Sequence, residues 1–183
     1  TWNKSTLYRE STGVPLIVAG SGIAPASIKT NAMLVDIYPT VLQALGVSTT
    51  DEDAALPGRS LLDSIVHPDP DRVAFSEYHA VGSASGAFMV ADARYKYHHY
   101  VGYEPELFDL DEDPGETNDL AHSPAHRDVM AAMAAKLRAI VDPEKVDRLA
   151  KDDQNRLVDA HGGREKVLAM VRGGATRVPG ARG

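Results

Sequence analysis

Apolar positions change their period twice along this chain. From Pro15 to Ala19 they run without interruption, and Gly20-Ser21-Gly22 closes the run. A short apolar stretch bounded by glycines predicts a strand buried on both faces. Leu34, Val35, Ile37, Tyr38, Val41, Leu42 and Leu45 then recur at helical spacing, and Gly46 ends the pattern. Pro39 falls inside it, where it kinks the first turns or marks a later start. Residues 4–11 can form a short helix. Residues 48–54 read as a polar, acidic loop. Leu56-Pro57-Gly58-Arg59-Ser60-Leu61-Leu62 reads as a turn entering another short helix, and His67-Pro68-Asp69-Pro70 as a breaker.

Beyond the breaker the period becomes short. Val73 to Tyr78, Ala87 to Ala91, Arg94 to Tyr100 and Leu107 to Leu110 are brief aromatic and β-branched segments separated by turns, which predicts an antiparallel meander. Asp92-Ala93 supplies one tight turn and Asp113-Pro114-Gly115-Glu116 another. The helical period returns with Val129, Met130, Met133, Leu137, Ile140 and Val141, where Met130 and Met133 read as core. Asp142-Pro143 restarts a helix, with Asp as N-cap and Pro at the first helical position, ending near Gly162-Gly163. Residues 164–171 suit a further short helix, and the Gly- and Arg-rich tail reads as loose.

The order predicts the edge of an α/β domain followed by an α+β subdomain. The divisions fall at 1–68 (edge of the α/β domain), 69–141 (antiparallel sheet with helix) and 142–183 (helical extension and tail).

The 183 residues suffice for one ordinary domain. A net charge of −7 argues against a nucleic-acid partner, though one local cation can still bind a small anion. There is no cysteine, so disulfides, thiolate metal sites and a Cys nucleophile are excluded within this chain. No apolar run approaches the roughly 20 residues of a membrane span. The compartment stays open. The opening lacks an initiator Met and suggests a chain continued from a preceding part.

Lys4 is the sharpest chemical candidate. An ammonium held at a sheet rim can neutralise a tetrahedral oxyanion and charge on a leaving oxygen, with Trp2 as a pocket wall. An exposed lysine near a chain end fits the same residues. His79, beside the flexible Gly82-Ser83-Ala84-Ser85-Gly86, can reach a substrate or bond to backbone. His98-His99 cannot form a two-His metal site on a strand, since neighbours point to opposite faces; one packed and one exposed side chain are expected. Asp109, Asp111, Glu112 and Asp113 loosely suggest calcium, but the glycine and glutamate of an EF-hand loop are misplaced, and a solvated turn accounts for them. Gly20-Ser21-Gly22 lacks the Lys-Ser/Thr of a phosphate loop.

Trp2-x-Lys4 with Leu7-Tyr8, Gly13-Val14-Pro15-Leu16-Ile17-Val18, Val35-Asp36-Ile37-Tyr38-Pro39-Thr40 with Leu45-Gly46, and Gly58-Arg59-Ser60-Leu61 together resemble the sulfatase family. So do Arg94-Tyr95-Lys96-Tyr97, Glu106-Leu107-Phe108-Asp109-Leu110, Asp113-Pro114 with Glu116, and Asn118-Asp119-Leu120-Ala121. Each motif is weak alone; their order and number are specific. Ser21 and Ala93 depart from the family's usual proline and glycine.

The resemblance implies the C-terminal part of an alkaline-phosphatase-like hydrolase, with a partial α/β sheet and a small four-stranded antiparallel sheet packed with helices. It implies hydrolysis of a small sulfate ester to an alcohol and inorganic sulfate. A formylglycine made from a Cys/Ser-x-Pro/Ala-x-Arg motif would be the nucleophile, and a divalent metal, calcium above all, the cofactor. Nucleophile and metal ligands are expected outside this chain, leaving it inactive alone. Lys4 carries over as the sulfate-binding catalytic cation. His79 lies in a Glu-Tyr-His sequence resembling choline-sulfatase-like members, which makes it a substrate-binding candidate. The C-terminal helices could pack on the main domain or form a homo-oligomer. Two other readings stay open: a phosphodiesterase or phosphonate monoester hydrolase of the same superfamily, and a non-catalytic binding or assembly module.

Overall fold

The computed structural model describes residues 5–80 and 83–170. The chain enters through a short helix α1 (Arg9–Thr12), shorter than the helix expected over residues 4–11. Pro15 to Ala19 takes no regular structure and joins no strand among the described residues, and Ile17 is 87% exposed. The expected strand is therefore absent here: its apolar pattern is right, but a strand needs a neighbour to take up its backbone groups, and none is alongside.

Leu34–Asp36 forms a 3-10 turn leading into α2 (Ile37–Leu45), which stops at Gly46 in the left-handed conformation. Pro39 sits in the first turn of α2, where its missing N–H has no helical partner to lose. The acidic stretch is not wholly loop: α3 (Asp51–Ala54) is capped reciprocally by Thr50 and Asp53. α4 (Leu61–Val66) begins at its N-cap Ser60 and ends before the His67-Pro68 breaker.

Asp36 ties this helical part together. Its side chain is wholly buried and accepts hydrogen bonds from Met33 N, Arg59 N and Arg72 Nη2, the last at 2.6 Å. Burial raises its pKa, but these donors, Arg72 foremost, outweigh it and leave the carboxyl below its usual range.

The meander is as expected: β1 (Ala74–Tyr78), β2 (Ala87–Ala91), β3 (Tyr95–Tyr100) and β4 (Glu106–Asp109), antiparallel in the order β1-β2-β3-β4. Asp92 makes the β2–β3 turn, accepting from Arg94 N and Tyr95 N. On one face Phe88, Val90, Tyr97 and Leu107 pack with Met133 and Leu137 of α5 (Arg127–Ile140). α6 (Pro143–Ala160) follows, N-capped by Asp142 as anticipated, and α7 (Arg164–Met170) begins after Gly162-Gly163.

The opposite face decides where a site can be. Ala87, Met89 and Ala91 lie on it and pack against Leu7, so β2 is buried on both sides. The polypeptide immediately after Lys4 thus lies flat on the sheet.

Candidate functional site

Alternation along β3 sends Lys96, His98 and Tyr100 to the face covered by residues 5–12. His98 pairs with Glu106 across the β3–β4 ladder. The Glu106 carboxylate receives Tyr8 Oη at 2.7 Å on one oxygen. Its other oxygen receives Tyr100 Oη at 2.8 Å and lies 3.0 Å from His98 Nδ1. These contacts, His98 first, hold Glu106 at about 2 despite partial burial. Burial, helped by Glu106, pushes both tyrosines well above their ordinary range, so they stay protonated. The His98 ring is fully buried and edge-on to Tyr8 and Phe108.

A second carboxylate anchors the same segment. Glu116, in a left-handed conformation (φ 54°), accepts Lys96 Nζ at 2.9 Å and Arg9 N at 3.1 Å. Lys96 also reaches Thr12 Oγ1, and Arg9 donates to the Pro114 carbonyl. Burial pulls the Lys96 ammonium below its ordinary range, and Glu116 offsets part of that pull.

A cavity of about 370 Å³ opens where this segment meets the sheet. Ser5 to Tyr8 form one wall, Tyr78, Ala87 and Tyr100 its floor and flank, and Ser83 to Ser85 with Tyr103 the remainder. Most lining residues carry a hydroxyl, though the surface they present is mainly apolar. Tyr8 and Tyr100 donate their protons to Glu106, so what they can offer a ligand is an acceptor lone pair.

Lys4, the leading sequence candidate, lies outside the described residues. Ser5, which follows it, is on the cavity wall. His79 ends β1, and its ring packs edge-on to Phe88 rather than lining the cavity. Neither ring nitrogen has a hydrogen-bond partner; Nε2 stands 3.6 Å from Glu77 Oε2, beyond bonding reach. His98 and His99 do face opposite ways, but His99 is packed too, near Glu144, and burial lowers its pKa. Asp109 is no solvated turn residue: it is buried, paired with Arg94 at 2.6 Å, and accepts from Asp111 N and Glu112 N. Glu106 and Glu116 stand in the sequence motifs but give no sign there of their anchoring role, since Tyr8, Arg9 and Lys96 reach them only through the fold.

Two further points concern chemistry expected elsewhere. The bare pattern Ser-x-Ala-x-Arg occurs at Ser123-Pro124-Ala125-His126-Arg127, contrary to the expectation that the nucleophile motif lies outside this chain. Ser123 precedes the 3-10 turn into α5, contacts His126 Nδ1 at 2.9 Å, and does not line the cavity. Among the described residues no group of three or more His, Asp or Glu could hold a metal ion.

Comparison with known proteins matches residues 1–143 to the family described as "N-sulphoglucosamine sulphohydrolase, C-terminal". Arylsulfatase K of Xenopus laevis is 33% identical over 157 residues, covering 78% of this chain and 28% of that protein. Choline-sulfatase of Rhizobium meliloti (strain 1021) is 30% identical over 159 residues, covering 85% and 31%. Among solved structures, that of BT1596, a 2-O GAG sulfatase, aligns with a TM-score of 0.48 at 29% identity, over 65% of this chain and 25% of that one. This chain spans less than a third of the length of either curated relative. Such relatives imply a divalent metal in general terms. The matched residues include the Ser5–Thr12 segment, the four-stranded sheet and both anchoring carboxylates, and the chain belongs to the sulfatase family.

Proposed function

We propose that the protein carrying this chain hydrolyses a sulfate ester to an alcohol and inorganic sulfate, and that Lys4 binds the transferring sulfo group. The observation that supports this is the hydroxyl-lined cavity starting at Ser5, one residue beyond Lys4, in a chain of the sulfatase family. A lysine ammonium stabilises charge developing on the sulfonyl and leaving oxygens, and does so best in a site shielded from water. The cavity would hold the alcohol portion. Tyr8 and Tyr100, fixed by Glu106, would accept hydrogen bonds from its hydroxyl or amine groups. His79, packed on Phe88 and outside the cavity lining, would bear on the substrate only through the Ser83–Ser85 wall.

The metal in this reading is calcium, which would draw charge from the sulfate oxygens. The described residues offer no group of three or more His, Asp or Glu that could hold it; in this reading its ligands and the formylglycine would come from the rest of the protein. The chain by itself is then inactive. A homo-oligomer through the C-terminal helices belongs to the same proposal. No helix of the described residues is long and apolar enough to cross a membrane.

The test is an assay of the full-length protein on matched sulfate esters, phosphate diesters and phosphonate monoesters. Preferential release of inorganic sulfate is expected. Preferential cleavage of the phosphorus substrates, or no cleavage at all, would overturn the reading.

A further inference from the structure

Helix α6 begins at Pro143, the last residue matched by the family description. Its inward face carries Asp147, whose side chain is 7% exposed. Asp147 Oδ1 accepts the Gly86 backbone N–H at 2.6 Å, and Oδ2 receives Lys151 Nζ at 2.9 Å. Two turns further along, Gln154 Nε2 donates to the His79 carbonyl oxygen at 2.8 Å. Residues seven apart share a helix face.

His79 is the residue after β1, and Gly86 is the residue before β2. One stripe of one helix therefore holds both ends of the β1–β2 connection. That connection supplies Ser83, Ala84 and Ser85 to the cavity wall. The contact at Gly86 is tight. A Cβ there would come within 2.9 Å of both His79 Cε1 and Phe88 Cε2. The His79 ring thus packs close against Gly86 at the end of the loop.

We propose that Asp147 and Gln154 are positioning residues that set the height of the Ser83–Ser85 wall, and so determine which alcohol portions the cavity accepts. This rests on the sulfatase reading of the cavity. The helix contributes geometry only: neither residue lines the cavity, and both act through the loop backbone.

The test uses the full-length protein and the variants Asp147→Ala, Asp147→Asn and Gln154→Ala. Asparagine keeps an oxygen for the Gly86 N–H. For a sulfate ester with a bulky alcohol portion, Asp147→Ala is expected to raise KM roughly tenfold or more, the worth of a hydrogen bond to a charged acceptor, with kcat moving much less. Asp147→Asn should recover most of the loss, and Gln154→Ala should fall between. A small sulfate ester should show little KM change. Backbone hydrogen exchange at Gly86 should accelerate in Asp147→Ala. Equal loss for bulky and small esters, or loss of kcat alone, would overturn the proposal. So would accelerated exchange with an unchanged KM, and so would unchanged exchange. A wild-type protein that cleaves no sulfate ester would defeat the sulfatase reading instead, and the exchange result would still decide whether Asp147 holds the loop.

Discussion

The Tyr8 hydroxyl donates to the Glu106 carboxylate at 2.7 Å across 98 residues of sequence. This bond joins the segment following Lys4 to the last strand of the sheet. With the Glu116 contact to Arg9 N, it fixes that segment at two adjacent residues.

Tyr8→Phe removes the first of these ties while keeping the ring against His98 and Phe108. A lost hydrogen bond to a charged group costs about 1.5–3 kcal/mol. Glu106 keeps Tyr100 and His98, so the lower end is expected. Urea unfolding of the chain would measure it, and an unchanged midpoint would mean the bond contributes nothing.

Glu106 also sets an acid limit. Its carboxyl sits at about 2 in the fold against an ordinary 4.5. A depressed folded value means a contribution that is complete above 4.5 and lost as pH falls towards 2. Melting temperature should decline through that window in the wild type and decline less in Glu106→Gln. Parallel curves would remove Glu106 from the account.

Lys96 and Glu116 are both nearly inaccessible to solvent. Lys96→Met leaves a buried carboxylate without its cation, which costs about 3–5 kcal/mol. Adding Glu116→Gln should cost less than the two single changes summed, because no charge is then stranded. Strict additivity in chemical denaturation would show that the pair does not act as a unit.

Gly58 lies where the turn into α4 crosses the start of α2. A Cβ there would stand 2.2 Å from the Val35 carbonyl oxygen. That neighbour is backbone and cannot swing aside. Gly58→Ala is therefore expected to destabilise by about 1–3 kcal/mol or more, as overpacking does. Wild-type stability in this variant would contradict the packing described.

The meander was legible in the sequence because its strands are short, apolar or aromatic, and divided by turn residues such as Asp92. Helices α5 and α6 were legible by their stripe and by Asp142-Pro143. The run from Pro15 to Ala19 misled, since apolar pattern reports suitability for burial and says nothing of whether a neighbouring strand is at hand. The cavity was only half legible. The loop after His79 marks its surroundings in sequence. Glu106, Glu116 and Asp147 do not, because a carboxylate in a polar stretch looks solvated until the fold brings a distant tyrosine, lysine or backbone amide against it. Asp109 shows the same effect at close range: four acidic residues in a turn look alike, yet Arg94 buries only that one of the acidic run into a tight pair.

In the proposed reaction the ammonium of Lys4 serves the departing sulfo group. The most direct measurement is sulfate release from one sulfate ester by the full-length protein and its Lys4→Ala variant at saturating substrate. A fall in kcat on the order of a hundredfold or more is predicted for loss of an oxyanion-stabilising group. Equal kcat in the two proteins would contradict it.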